Sequence, residues 1–177
     1  MSEGKMSGDV IEGNDVADVF WRVAAPLSPE SFLDVGTGAN GVVGLHYWDR
    51  LRGRRAALDI FEVKAQPQGW EVVVGDGREI LARFGEKSFD VVQACCFLEH
   101  LERADGERFL ADAARVARRA VLIFTPLGFQ PSPAEERDPH NPYQKHLSGW
   151  TREDLEARGF ETSLWGEASI LGWRVVR

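Results

Sequence analysis

The stretch Phe32-Leu33-Asp34-Val35-Gly36-Thr37-Gly38-Ala39-Asn40-Gly41 constrains this chain more than any other. It reads as a short buried strand running directly into a glycine-rich turn. A turn without side-chain bulk lets its backbone approach a ligand closely, and the start of a following helix adds free amide donors. Val42 to Leu51 is expected to be that helix, with Val43, Tyr47 and Leu51 on one face and Gly53 as its C-cap. At the carboxyl end of a strand in an α/β fold, such a turn binds nucleotide-like ligands.

The rest of the chain repeats the strand–helix alternation. Val16, Val19, Phe20 and Val23 recur at helical spacing behind Asp15, a candidate N-cap, and Pro26 and Pro29 end that helix. Strands are expected at 32–35, 56–60, 70–74, 89–94, 121–124, 160–165 and 172–176. Helices are expected at 80–84, at 103–118 and after Thr151, where Asp154 completes a variant capping box. Leu127 to Gly149 is long, proline-rich and without periodicity, as functional loops are. The pattern predicts an α/β fold: a doubly wound, mostly parallel, seven-stranded Rossmann-like sheet whose last strand turns back antiparallel. Residues 1–14, polar and acidic, are expected to be a disordered leader, and residues 15–177 one domain.

Charge and cysteine content narrow the function. A formal charge of −7 argues against a nucleic-acid partner, which calls for a basic surface; Arg50, Arg52, Arg54 and Arg55 are the early candidates for a local patch. Cys95 and Cys96 are adjacent and give neither a disulfide framework nor zinc spacing. The first residues lack the apolar core of a signal peptide, and no apolar run approaches the roughly 20 residues that span a bilayer. A cytoplasmic protein without a membrane partner is expected. Nothing in the sequence bears on oligomeric state.

The turn formally fits the dinucleotide pattern G-x-G-x-x-G, and Asp59 follows at a suitable distance for NAD. Asp34, however, stands two residues before the first glycine, and Asp76 ends the next strand. Carboxylates at three successive strand ends suit a ligand with hydroxyls, an exocyclic amine and an ammonium group, and no phosphates. The motifs Leu33-Asp34-Val35-Gly36-Thr37-Gly38, Leu58-Asp59-Ile60, Gly75-Asp76-Gly77, Ser88-Phe89-Asp90-Val91-Val92 and Leu98-Glu99-His100-Leu101 occur in that order. In this the chain resembles the class I S-adenosylmethionine-dependent methyltransferases, over about residues 31 to 177. Asn40 stands where the commonest pattern has a third glycine.

The resemblance implies S-adenosylmethionine as cofactor and a role for each matching residue. Asp34 would hold the methionine amino group, directly or through water, while Gly36, Thr37 and Gly38 pass close to the methionine and ribose. Asp59, followed by Ile60, would accept both ribose hydroxyls, because a carboxylate has two acceptor oxygens. Asp76 would accept from the adenine amine, with Gly77 near the ring, and Ala94 and Cys95 would line the methionine part. Turn capping is the structural alternative for Asp59 and Asp76.

Methyl transfer from a sulfonium needs alignment above all, and a base only for a protonated acceptor. His146, in the long segment, is the first candidate base and His100 the second; His46 reads as structural, and His140 shares the segment with His146. Tyr143 and Trp150 are expected either to face an acceptor or to pin the segment. No residue is assigned to a metal, although Glu99, His100 and a histidine of the segment could build one, as in some O-methyltransferases of related build. The expected activity is methyl transfer to a small-molecule acceptor, at oxygen in one version. An rRNA or protein acceptor, an NAD(P)-dependent oxidoreductase and a non-catalytic cofactor-binding module are the alternatives.

Overall fold

In chain order the strands are β1 (Val10–Ile11), β2 (Phe32–Val35), β3 (Arg55–Asp59), β4 (Glu71–Val74), β5 (Phe89–Cys95), β6 (Ala117–Pro126), β7 (Glu161–Trp165) and β8 (Ser169–Val175). The helices are α1 (Val16–Ala24), α2 (Leu45–Trp48), α3 (Ile80–Phe84), α4 (Arg103–Val116) and α5 (Arg152–Glu156). This computed structural model describes residues 10–11, 15–38, 41–63, 67–132 and 141–176.

All eight strands join one sheet in the order β1-β7-β8-β6-β5-β2-β3-β4. β8 runs antiparallel to both β6 and β7, and every other pairing is parallel. The seven-stranded, mostly parallel sheet with an antiparallel last strand is therefore as expected. β1 is an addition: Val10 and Ile11, in the stretch expected to be a disordered leader, continue the edge of β7. An extended dipeptide there satisfies backbone groups that an edge strand otherwise leaves open.

Chain direction explains where a ligand can sit. From β2 the chain winds outward through β3 and β4, then returns to place β5 on the other side of β2. The crevice at the carboxyl ends of β2 and β5 is the switch point at which open α/β sheets bind ligands. Two apolar cores hold the sheet. One face packs Leu33, Val35 and Val92 beneath Ile80, Leu110, Trp150 and Leu155; the other packs Phe32, Val91 and Leu122 against Phe20, Val23 and Trp48.

Helix ends follow the sequence signals. Asp15 caps α1 by accepting from the Ala17 amide at 3.1 Å. Thr151 and Asp154 form a reciprocal capping box on α5, and Gly159, at φ +80°, turns the chain out of it. Two expectations fail. The helix after the glycine turn shrinks to the four residues of α2, because Gly41 and Gly44 take φ of +82° and +75°, outside the right-handed helical region. Gly53 is accordingly no C-cap; its amide donates to Glu30 O at 2.9 Å. At the other end of the fold, α4 stops at Val116, and Ala117 and Arg118 begin β6. Arg118 donates to Asp90 at 2.7 Å, and Asp90 also accepts from the Glu30 and Ser31 amides, so this extension ties the starts of β2, β5 and β6 together.

Among the described residues no helix is long and apolar enough to cross a membrane.

Candidate active site

A cleft of about 1200 Å³ opens at the switch point. Its walls include the glycine turn, the end of β3, Asp76 to Arg78, Cys95 to Phe97, His100 and the segment from Asn141 to Leu147. Residues 39–40 and 133–140, which include Asn40 and His140, lie outside the described residues.

The glycine turn is held from its neighbour strand. The Gly38 amide donates to Asp59 Oδ2 at 2.7 Å, and the Phe61 amide donates to Asp59 Oδ1 at 2.9 Å. Asp59 thus caps its own strand end and clamps the turn, and each oxygen keeps a lone pair for a further donor. Gly38 has φ +65° with open space where a side chain would stand, so a ligand can reach its backbone. Gly36 (φ +74°) is glycine for a second reason: a Cβ would lie 2.6 Å from Phe97 Cδ2. Gly77 meets the far end of the same ring, with a would-be Cβ 2.6 Å from Phe97 Cζ. Phe97 therefore lies between the two turns and sets their spacing, a role no sequence motif announces.

Asp34 sits beneath the turn rather than on the cleft wall. It is 3% exposed, and Gln93 Nε2 donates to its Oδ1 at 2.9 Å. Burial pushes its carboxyl up to about 6, against the pull of the Gln93 bond. Among the described residues Gln93 Oε1, buried in this corner, has no hydrogen-bond partner, and Thr37 Oγ1 has only the Asp34 carboxylate beside it. Buried polar groups are normally satisfied; these are groups that a bound polar ligand would complete.

Asp76 is more engaged than its sequence position suggests. It caps the turn Gly77–Glu79 by accepting from the Arg78 amide at 2.9 Å, and Arg78 Nε and Nη2 reach its Oδ2 at 2.8 and 2.5 Å. These bonds hold its carboxyl below the usual range. Arg78 also spans to Asp105 at 3.3 Å, closing that wall. Ile60 and Cys95 are among the residues that line the cleft, and Ala94 is not. Successive strand residues point to opposite faces, and Ala94 points into the core beside Leu98 and Ile123. Burial raises the Cys95 thiol well above its usual value; the Cys96 thiol, on a solvent-exposed residue, is pushed up to about 12 by desolvation and the nearby Glu99 carboxylate.

The histidines divide by position. His46 is exposed and packs on Tyr47. His100 forms part of the cleft wall, and His146 stands behind it with ring centroids 4.9 Å apart. His100 Nδ1 meets Lys145 O at 3.0 Å and His146 Nδ1 meets Gln130 O at 2.6 Å. A carbonyl only accepts, so each Nδ1 carries a hydrogen in these bonds, and in a neutral ring the lone pair is then on Nε2. Burial lowers the His100 pKa, which favours that neutral form. Glu99 lies alongside, 2% exposed, its carboxyl pushed up to about 7 by burial and held by Thr125 Oγ1 at 3.0 Å. One donor atom from each of Glu99, His100 and His146 lies within 4.8 Å of the others.

The segment over the cleft is anchored from behind. Leu147 and Ser148 donate to Glu99 O, and Trp150 is fully buried with its indole N–H on Ser148 Oγ at 2.9 Å. Trp150 thus pins the segment and faces no acceptor. Tyr143 is half exposed and meets Phe61 edge-to-face at 5.4 Å, joining the segment to the end of β3. Phe61 and Phe97 are cleft residues that the sequence motifs miss; both directly follow stretches that were singled out.

A family model described as a methyltransferase domain matches residues 33–125, more than half of the chain. The chain belongs to the class I S-adenosylmethionine-dependent methyltransferases. No curated protein matches its sequence. Among solved structures it is similar to 1,6-didemethyltoxoflavin-N1-methyltransferase from Burkholderia thailandensis, with bound 1,6-didemethyltoxoflavin and S-adenosylhomocysteine: TM-score 0.64, 20% identity, covering 91% of this chain and 76% of that one. The N-terminal domain of EvdMO1 with bound S-adenosylhomocysteine gives TM-score 0.64 at 18% identity, covering 93% and 82%. A putative methyltransferase from Bacillus halodurans gives TM-score 0.61 at 24% identity, covering 85% and 71%. At these identities the likeness is one of fold.

Proposed function

We propose that this methyltransferase acts on a small molecule, at an oxygen, inside the cleft between the glycine turn and the segment 141–147. The observation that carries this reading is the make-up of the cleft. Its volume, about 1200 Å³, exceeds the ~300–1,000 Å³ of an ordinary single-ligand pocket and suits a cofactor together with a small acceptor. Among the described residues its charged lining is acidic: Asp15, Asp59, Glu62, Asp76, Glu102 and Asp105 face one arginine, Arg78, which two of them already neutralise. Such a wall repels a phosphate backbone.

The basic clusters elsewhere are partly engaged within the chain; Arg50 and Arg52 make no ion pair among the described residues, but most of the others do. Arg54 pairs with Glu71, Arg55 with Asp49, Arg115 with Glu86, and Arg118 and Arg119 with Asp90. An RNA acceptor would have to compete for them. Two similar structures point the same way: one holds 1,6-didemethyltoxoflavin, and a second EvdMO1 structure was obtained in the presence of D-fucose.

In this reading Asp59 receives the ribose hydroxyls while holding the Gly38 amide, and Thr37, Gln93 and Asp34 form the polar corner for the methionine ammonium and carboxylate. Asp76 receives the adenine amine on a carboxylate that Arg78 fixes in place. Bound S-adenosylmethionine would supply an electrophilic methyl group on a sulfonium. The protein aligns the acceptor against it, under Tyr143 and Leu147. His100, backed by His146 and Glu99, is the polar end of the cleft where an acceptor hydroxyl is activated.

The test is to incubate the chain with methyl-tritiated S-adenosylmethionine and a cell extract split into small-molecule, RNA and protein fractions. Label is expected in the small-molecule fraction. Label confined to RNA or protein would overturn the proposal.

A further inference from the structure

Three groups at the cleft edge are arranged in a way that methyl transfer by alignment alone does not require. Glu99 is a buried carboxylate with two hydroxyl- or thiol-type partners, Thr125 and Cys96, and no cationic side chain among the described residues. A buried carboxylate is normally paired or bound to a metal. Beside it stand two imidazoles whose Nδ1 atoms are fixed on backbone carbonyls. That outer hydrogen bond is what a metal-ligating histidine makes: it sets the tautomer, aims the ring and leaves the Nε2 lone pair for the ion. Thr125 orients the Glu99 carboxylate in the same manner.

We infer that Glu99, His100 and His146 bind one first-row divalent metal ion at the edge of the cleft, and that the acceptor offers an oxygen to this ion. One ligand atom from each of the three side chains lies within 4.8 Å of the others. Donors to a shared ion at ~2.1 Å stand at most ~4.2 Å apart, so a small turn of either ring closes the site. Two imidazoles and one carboxylate select manganese, iron, cobalt, nickel or zinc over magnesium, which prefers oxygen ligands throughout. Three protein ligands leave positions open, and His100 is itself part of the cleft wall, so the ion borders the acceptor space. A hydroxyl bound there would lose its proton more readily, to water at the open cleft, and its oxygen would form the new C–O bond as the methyl–sulfur bond breaks and S-adenosylhomocysteine leaves. The acceptor part of this inference rests on the reading above; the metal site does not.

The site couples to the segment over the cleft. The carbonyl that fixes His100 belongs to Lys145, and the backbone oxygen of Glu99 accepts from Leu147 and Ser148. A metal held by Glu99, His100 and His146 would therefore fasten that segment to the end of β5.

The experiment uses the full chain stripped of metal by chelation and titrated with cobalt(II). Visible ligand-field absorption is expected to grow to one ion per chain. His100→Gln and His146→Gln are each expected to weaken uptake by more than the ~10–100-fold that loss of an outer-shell partner costs. Binding of S-adenosylhomocysteine, measured by calorimetry on the metal-free wild type and on both variants, should stay unchanged, which also shows that the variants fold. Wild type that binds S-adenosylhomocysteine yet gives no cobalt band would overturn the metal site and leave the methyltransferase reading standing. Equal cobalt uptake by the double variant H100Q/H146Q would overturn it as well.

Discussion

Asp59 and Gly38 are joined across the carboxyl ends of β2 and β3: the Gly38 amide donates to Asp59 Oδ2 at 2.7 Å. One carboxylate thus shapes the glycine turn and, with its free lone pairs, faces the cleft. Asp59→Ala removes both functions. A hydrogen bond to a charged group is worth ~1.5–3 kcal/mol, so affinity for S-adenosylhomocysteine should fall by about 10- to 100-fold in calorimetry. Unchanged affinity would refute the assignment of the ribose site.

Asp34 predicts a pH dependence. Its carboxyl is raised to about 6 by burial, so its contribution to stability is fully present below the ordinary value of 3.8 and is lost as pH rises through about 6. The ligand-free protein therefore favours the protonated form in acid, whereas a cofactor ammonium favours the carboxylate. Affinity for S-adenosylhomocysteine should decline below pH 6, approaching about tenfold per pH unit, and Asp34→Asn should flatten that decline. An equally steep profile in the variant would place the titrating group elsewhere.

Trp150 and Gly106 give a stability test. A Cβ on Gly106 would stand 2.5 Å from Trp150 Cζ2, on a ring that Arg103 covers from 4.0 Å. Gly106→Ala is expected to lose about 1–3 kcal/mol from overpacking, and Trp150→Ala about 3–5 kcal/mol from the cavity. Urea unfolding reads both. A Gly106→Ala protein as stable as wild type would mean that the indole is not seated against α4.

Much of this fold was legible because its signals are local. The strands at 32–35 and 89–95, the Asp15 cap and the Thr151–Asp154 box each depend on neighbours a few residues apart. What stayed hidden depends on partners far along the chain. The pairing of His100 with His146 spans the whole of β6, and the engagement of Asp76 with Arg78 follows from a rotamer that no spacing reveals. The shortened α2 reflects two glycines at positive φ, of which only Gly44 is packed: a Cβ there would press on Ala17 of α1 at 3.0 Å, whereas Gly41 borders open space. Of the adjacent pair Ala94 and Cys95, strand alternation turns Ala94 into the core and Cys95 to the cleft, which composition alone does not distinguish.

Tyr143 separates acceptor binding from cofactor binding. It lines the cleft on the segment side and meets Phe61, just beyond β3, edge-to-face. Tyr143→Ala should raise the acceptor KM by about tenfold, the worth of one aromatic contact of ~0.5–1.5 kcal/mol at its upper end, and leave affinity for S-adenosylhomocysteine unchanged. Weakened cofactor binding with an unaltered acceptor KM would reverse the two halves of the cleft.

The most direct measurement is a thermal melt of the chain with S-adenosylmethionine, S-adenosylhomocysteine, NAD and NADP in parallel. A ligand at about one hundred times its dissociation constant adds ~2.7 kcal/mol, which for a chain of this length raises Tm by about 5–10 °C. The two adenosyl ligands are expected to produce that shift, and the two nicotinamide ligands none. A shift with NAD, or none with S-adenosylhomocysteine, would contradict the roles given to Asp34, Asp59 and Asp76.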